Sequence, residues 1–269
     1  MPRRYVHRAG WSLCGMLLGL VLAGCALTTA RQPGPDDLAK KTGFDWRADS
    51  TAHFVVYAER GSEGERRLEE VKRDVEASLV RVNRVLGAHQ EEPRATIFLV
   101  DSRDRMRALI GHETNGIAFF KTRTLCYIVN ERMMLSATHE LLHVVAMNRW
   151  GTPERWVNEG LAVYATGNWH GHDLHRLAAF LGREGVQLSW DELTRSFSRH
   201  NDLITYPQAG SLIGFIYETY GVEAVEALWK DGAGGLQRVT GTTPDVIEAS
   251  WKARLAQEPA EAMDYTYAP

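Results

Sequence analysis

His139-Glu140-Leu141-Leu142-His143, followed by Trp156-Val157-Asn158-Glu159-Gly160-Leu161-Ala162, is the part of this 269-residue chain from which the rest can be read. In a helix, residues four apart share a face, so His139 and His143 can offer two imidazole nitrogens to one ion. Glu140 then lies one position round, beside the ion without binding it. A second helix that carries Glu159 and packs antiparallel to the first returns a carboxylate to the same point. Gly160 and Ala162 are small enough for the close helix contact this needs.

Two histidines and a carboxylate make three protein ligands, the number a catalytic Zn²⁺ takes while leaving its fourth position to water. The ion lowers the pKa of that water from about 15.7 to about 7. A nearby carboxylate takes the proton during attack, and Glu140 is placed for that role. The plainer alternative is an amphipathic core helix that carries two histidines and a glutamate by accident. It does not account for Glu159.

The pair HELLH and WVNEGLA resembles the gluzincin branch of zinc metallopeptidases, especially the compact bacterial peptidase MA-like domains. Residues 53–57, 115–119 and 206–212 look like further blocks of that family, so the resemblance spans residues 50 to 230 in round numbers. It implies a zincin-like fold, zinc held by His139, His143 and Glu159, Glu140 as general base, and a peptide or protein substrate. In gluzincins the strand just before the first metal helix borders the cleft and hydrogen-bonds an extended substrate, which makes residues 125–129 the expected sheet edge. Related enzymes add a Tyr or His donor for the developing oxyanion. Tyr206 is the first candidate and His200 the second. Tyr206 reads equally well as an aromatic packing at the start of a helix, and His200 as a surface-loop residue.

Two departures bound what the resemblance carries over. Val163 stands one helical turn after Glu159, where thermolysin-like relatives place an acid that orients a ligand histidine, so that support must come from elsewhere. The stretch Gly116-Ile117-Ala118-Phe119 lacks the glutamate with which related aminopeptidases grip a free amino terminus. Endopeptidase action follows from that difference.

At the start of the chain, Arg3, Arg4 and Arg8 precede an apolar run from Trp11 to Ala23, the charged and hydrophobic regions of a secretory signal. The run is too short for a comfortable transmembrane span. Leu22-Ala23-Gly24-Cys25 resembles a bacterial lipobox, whose cysteine is lipidated and becomes the new first residue. An uncleaved anchor helix is the alternative. The expected organisation is a signal over residues 1–24, lipidated Cys25, a flexible tether over 25–50, a metallopeptidase domain over 51–258 and a tail over 259–269. Ala26 after the cysteine favours the outer membrane, with the domain facing the periplasm of a bacterial envelope.

With Cys14 in the signal and Cys25 lipidated, Cys126 alone remains, which excludes a disulfide within the mature domain. Its apolar neighbours make it a buried small hydrophobe. The chain carries 31 basic and 34 acidic residues, and loss of the signal removes three arginines, leaving 28 against 34. That balance favours solubility and argues against nucleic acid as a partner.

Outward from the motif, hydrophobic periodicity predicts a strand over 53–58, a helix over 64–86, a strand over 95–100, paired strands over 116–120 and 124–129, and the first metal helix over 133–150. Helices follow over 155–166, 172–183, 190–196, 208–220, 222–229 and 244–255, the last capped by Thr243. The predicted class is α+β: a small mixed β-sheet lobe, then a helical lobe, with the metal in the cleft between them. His170, His172 and His175 fall in or beside a loop without an accompanying carboxylate set and read as an exposed rim. Asn158 reads as orienting Glu159, touching substrate, or packing in the ligand helix. The rival function is a non-catalytic envelope lipoprotein that keeps the fold as a scaffold or binding module, against which an intact Glu140 argues. A third is hydrolysis of a cell-wall amide.

Overall fold

The computed structural model describes residues 31–87, 94–131 and 137–259. The expected signal, Cys25 and all but the first residue of the expected tail lie outside them. Among the described residues, no helix is long and apolar enough to cross a membrane.

Five strands form one mixed sheet: β1 (Trp46–Ser50), β2 (Phe54–Glu59), β3 (Ala95–Val100), β4 (Gly116–Phe119) and β5 (Thr124–Ile128). Their order is β1-β2-β3-β5-β4. The inner pairs β2–β3 and β3–β5 are parallel, and the outer pairs β1–β2 and β4–β5 are antiparallel. Successive residues of β3 and β5 enter different cores, as the pleat requires. Ile97, Leu99, Leu125 and Tyr127 join the larger cluster, which also takes in helices α3 (Leu68–Val85) and α5 (Thr138–Trp150). Phe98, Val100, Cys126 and Ile128 join a smaller one with Leu38 of α1 (Pro35–Ala39) and with Met106 and Leu109 of α4 (Arg103–Ile110).

Two expectations are corrected here. Residues 31–50 are not a flexible tether, because β1 pairs with β2 in the register Trp46↔Glu59 and Leu38 is buried. Gln32 is also buried, and its side chain accepts from the backbone N–H of Lys121 at 2.9 Å. Nor is 125–129 the sheet edge: β5 lies between β3 and β4, and β4 is the edge strand on that side. The continuous apolar run of β5 is what a strand covered on both faces looks like. The long helix expected over 64–86 is interrupted at Arg67, giving α2 (Glu63–Arg66) before α3. Helix α4 was not expected. Ser102 caps it by accepting from the N–H of Arg105.

All five strands precede the second half of the chain, which is helical: α5, α6 (Arg155–Thr166), α7 (Leu174–Arg183), α8 (Trp190–Ser196), α9 (Asp202–Tyr220), α10 (Val222–Thr240) and α11 (Pro244–Leu255). The class is therefore α+β. Helix α9 begins before Pro207, with Asn201 accepting from the N–H of Leu203 at its cap, so Tyr206 lies inside the helix rather than ahead of it. Helix α10 runs past Trp229 to a kink at Gly232. Thr243 occupies the cap position of α11 without a side-chain cap bond, its carbonyl accepting from Val246 and Ile247.

Helices α5, α6 and α9 are buried on most of their surface, which marks them as the centre of the helical part. The seam between α6 and α9 closes on glycine. A Cβ on Gly160 would stand 2.9 Å from the carbonyl oxygen of Ala209, and one on Gly210 would stand 2.6 Å from Val163.

Candidate metal centre

The start of α5 is pinned to α3 by two bonds. The N–H of Ala137 donates to Asp74 at 3.0 Å, and the hydroxyl of Thr138 donates to Ser78 at 2.9 Å. His139 and Glu140 occupy the first turn so fixed, and His143 lies one turn further. Helix α6 brings Glu159 opposite them, buried to 2 % exposure.

Nε2 of His139 and Nε2 of His143 lie 3.3 Å and 3.5 Å from the same oxygen, Oε2 of Glu159. One donor atom from each of the three residues falls within 4.8 Å of the other two. Donors at 2.0–2.1 Å from a tetrahedral ion are separated by about 3.3 Å, so both nitrogen–oxygen spacings suit such an ion. Charge agrees with shape. A buried carboxylate needs a positive partner, and the two imidazoles hold Glu159 well below the usual carboxylate range although burial alone would raise it. Burial by itself would depress the pKa of His143, but Glu159 reverses this and carries it up to about 9. The pocket thus favours a cation between carboxylate and rings, and its two-nitrogen, one-oxygen donor set fits zinc.

Asn158 supplies the support that Val163 cannot. Its Oδ1 lies 2.9 Å from Nδ1 of His143, in the interior. With Nδ1–H donating to Asn158, Nε2 is the nitrogen that faces Glu159, and a bound cation there takes the place of its proton. Nδ2 of Asn158 is buried without a partner. Val163 fills the notch at Gly210 instead. This link escapes a sequence reading because it depends on how α6 rolls against α5.

Glu140 is not one of the three converging donors. Burial raises its pKa, the histidines lower it and Glu159 raises it again, so the net shift is upward. Its carboxylate lies against Gly116 of β4. The ring of Tyr206 is nearly parallel to that of His139, with centroids 6.5 Å apart, and is flanked by Trp169 at 5.0 Å and Phe197 at 5.4 Å. The ring therefore packs among aromatic side chains beside His139. Burial keeps its phenol protonated, and Arg155 hydrogen-bonds it. Arginine can only donate, so the Tyr206 oxygen accepts and its own proton is left for another acceptor. Arg155 carried no motif signal; its guanidinium is set by the Ser198 hydroxyl at 2.8 Å and by the Phe197 ring.

The other histidines singled out in the sequence go elsewhere. His200 pairs with the hydroxyl of Ser196 at 3.0 Å. His170 is exposed, His172 closes a small bridge with Trp169, and His175 bonds Ser211. Cys126 is wholly buried and its thiol is pushed far up by desolvation, which leaves no thiolate to react. Comparison of the chain with protein-family models gives no match, and comparison with curated proteins gives none either.

Proposed function

We propose that the protein is a zinc-dependent metallopeptidase of the gluzincin type, with a zincin-like fold. The observation that carries this reading is the convergence of two imidazole nitrogens on one oxygen of Glu159, with Glu140 alongside but outside the donor set. A bound zinc ion supplies Lewis acidity, polarising the scissile carbonyl and acidifying water. His139, His143 and Glu159 hold it, and Asn158 fixes the ring of His143. Glu140 takes a proton from the attacking water and returns it to the leaving amine, a task its raised pKa suits. Tyr206 donates to the carbonyl oxygen as that oxygen gains charge.

The substrate strand belongs on β4. The N–H of Ile128 bonds the carbonyl of Asn115 and Gly116 faces Tyr127 in register, so Gly116 and Ala118 form the non-bonded pairs of the ladder and turn their backbone groups away from β5, where the Gly116 carbonyl already accepts from the Thr114 hydroxyl. An extended peptide adds there through backbone groups alone. With no glutamate on this strand to bind an amino terminus, cleavage within chains is the favoured action. Lipidation of Cys25 ties the domain to the bacterial envelope, facing the periplasm and most readily at the outer membrane.

Substitution Glu140→Gln in the mature protein tests the reading. Hydrolysis of a broad peptide library falls by about 10²–10⁴-fold, while bound zinc, measured by atomic emission, stays at parent level. Equal cleavage by mutant and parent sinks the assignment.

A further inference from the structure

Gly116 opens β4 and meets the Glu140 carboxylate at closer range than any side chain permits. A Cβ built on it would stand 2.6 Å from Oε1 of Glu140 and 3.2 Å from both Cδ and Cγ. The backbone of Gly116 is not among the glycines with positive φ, so its conformation is open to any residue. Glycine also weakens a strand interior, and in that setting it marks a close approach. What position 116 requires is space.

The two backbones that bring the partners together are both held. The carbonyl of Gly116 accepts from the hydroxyl of Thr114 at 2.7 Å, and the strand is registered against β5 by the pairs Gly116↔Tyr127 to Phe119↔Thr124. On the other side, Glu140 sits in the first turn of a helix anchored through Asp74 and Ser78. A methyl group at 116 therefore displaces the one movable element, the Glu140 side chain.

We propose that Gly116 is a positioning residue: its missing side chain forms the slot that holds the Glu140 carboxylate against the edge strand, clear of the three ligand atoms. The kinetic consequence rests on the reading of Glu140 as general base, whereas the steric coupling does not.

Four proteins test this: the parent, Gly116→Ala, Glu140→Ala and the double variant, each with thermal midpoint, zinc content and, for the first two, kcat and KM on peptides the parent cleaves. Gly116→Ala keeps its zinc, loses about 100-fold in kcat as expected for a misplacement near 1 Å, and leaves KM within about threefold because strand pairing survives. Its midpoint drops by about 2–4 °C. In the Glu140→Ala background, where the three crowded atoms are gone, the same substitution causes no drop. An equal drop in both backgrounds shows that the strand itself needs glycine and overturns the proposal, as does a parent-like kcat for Gly116→Ala in a peptide-cleaving parent. A parent that cleaves no peptide defeats the metallopeptidase reading alone, and the midpoint coupling still decides the slot.

Discussion

His143 and His175 each sit between helices with a carboxylate and a small polar side chain for company, yet the two clusters are wired differently. Around His175 the polar groups close on one another. Nδ1 meets the Ser211 hydroxyl at 2.9 Å, the indole N–H of Trp251 donates to the same oxygen, Nε2 faces Glu218 at 3.5 Å, and Arg254 balances the Glu218 charge. Around His143 the bond to Asn158 fixes Nδ1, and the polar groups on the other side converge rather than chain onward. The second nitrogen points with that of His139 at a shared carboxylate oxygen, where two imidazoles stand in place of an arginine. Buried polar groups are satisfied when their purpose is architecture. Two imidazole nitrogens drawn to one carboxylate oxygen instead mark a place where a cation can replace the ring protons.

The largest expected effect comes from removing one of the converging donors. For His139→Ala, zinc affinity falls by more than the ~10–100-fold that losing an outer hydrogen-bond partner costs, and hydrolysis falls with it. Competition against a fluorescent chelator measures this. Zinc affinity equal to the parent's would make the His139–His143–Glu159 group ordinary packing, and the contrast with His175 would vanish. Next comes Tyr206→Phe. Loss of an oxyanion donor lowers turnover by ~10²–10³-fold at unchanged zinc content, whereas an unaltered kcat reduces Tyr206 to an aromatic spacer between Trp169 and Phe197.

Asn158→Ala sharpens the contrast further, because it removes the bond that fixes the ring of His143. Zinc affinity weakens by ~10–100-fold through a ring free to turn, and isothermal titration separates that loss from any loss of fold. Parent-like binding would mean that the packing of α5 and α6 suffices to hold the ring, and that the 2.9 Å contact is incidental.

How far the sequence reaches follows from the range of the interactions involved. Helix α6 is visible to the residue because Pro153 precedes it, Gly167 ends it, and the ligand spacing agrees with its period. The triad is legible for the same reason: chemistry and helical geometry coincide within a short stretch. Strand β1 is not, since Trp46-Arg47-Ala48-Asp49-Ser50 alternates weakly and owes its form to pairing with β2 on one side. The choice of β4 over β5 as the edge is set by the parallel β3–β5 pairing, a long-range decision that strand propensity does not contain. Pro207 conceals the start of α9 because proline reads as a helix beginning, although here Asn201 has already nucleated the turn. The Asn158–His143 bond and the Glu140 slot at Gly116 need two elements placed to within an ångström, which no pattern along one of them provides.

The smallest effect is expected where polar groups close on themselves. In Ser211→Ala, the indole N–H of Trp251 and Nδ1 of His175 both lose their partner at a position with no exposure to water. An unsatisfied buried group costs about 1–3 kcal/mol, and for a domain of this size each kcal/mol lowers the thermal midpoint by about 2–4 °C. Zinc content and turnover at 25 °C remain those of the parent, because the substitution weakens the joint between α7, α9 and α11 without touching α5 or α6. A Ser211→Ala protein that loses turnover while keeping its midpoint would reverse the assignment, placing chemistry in the closed cluster and leaving the convergent one as architecture.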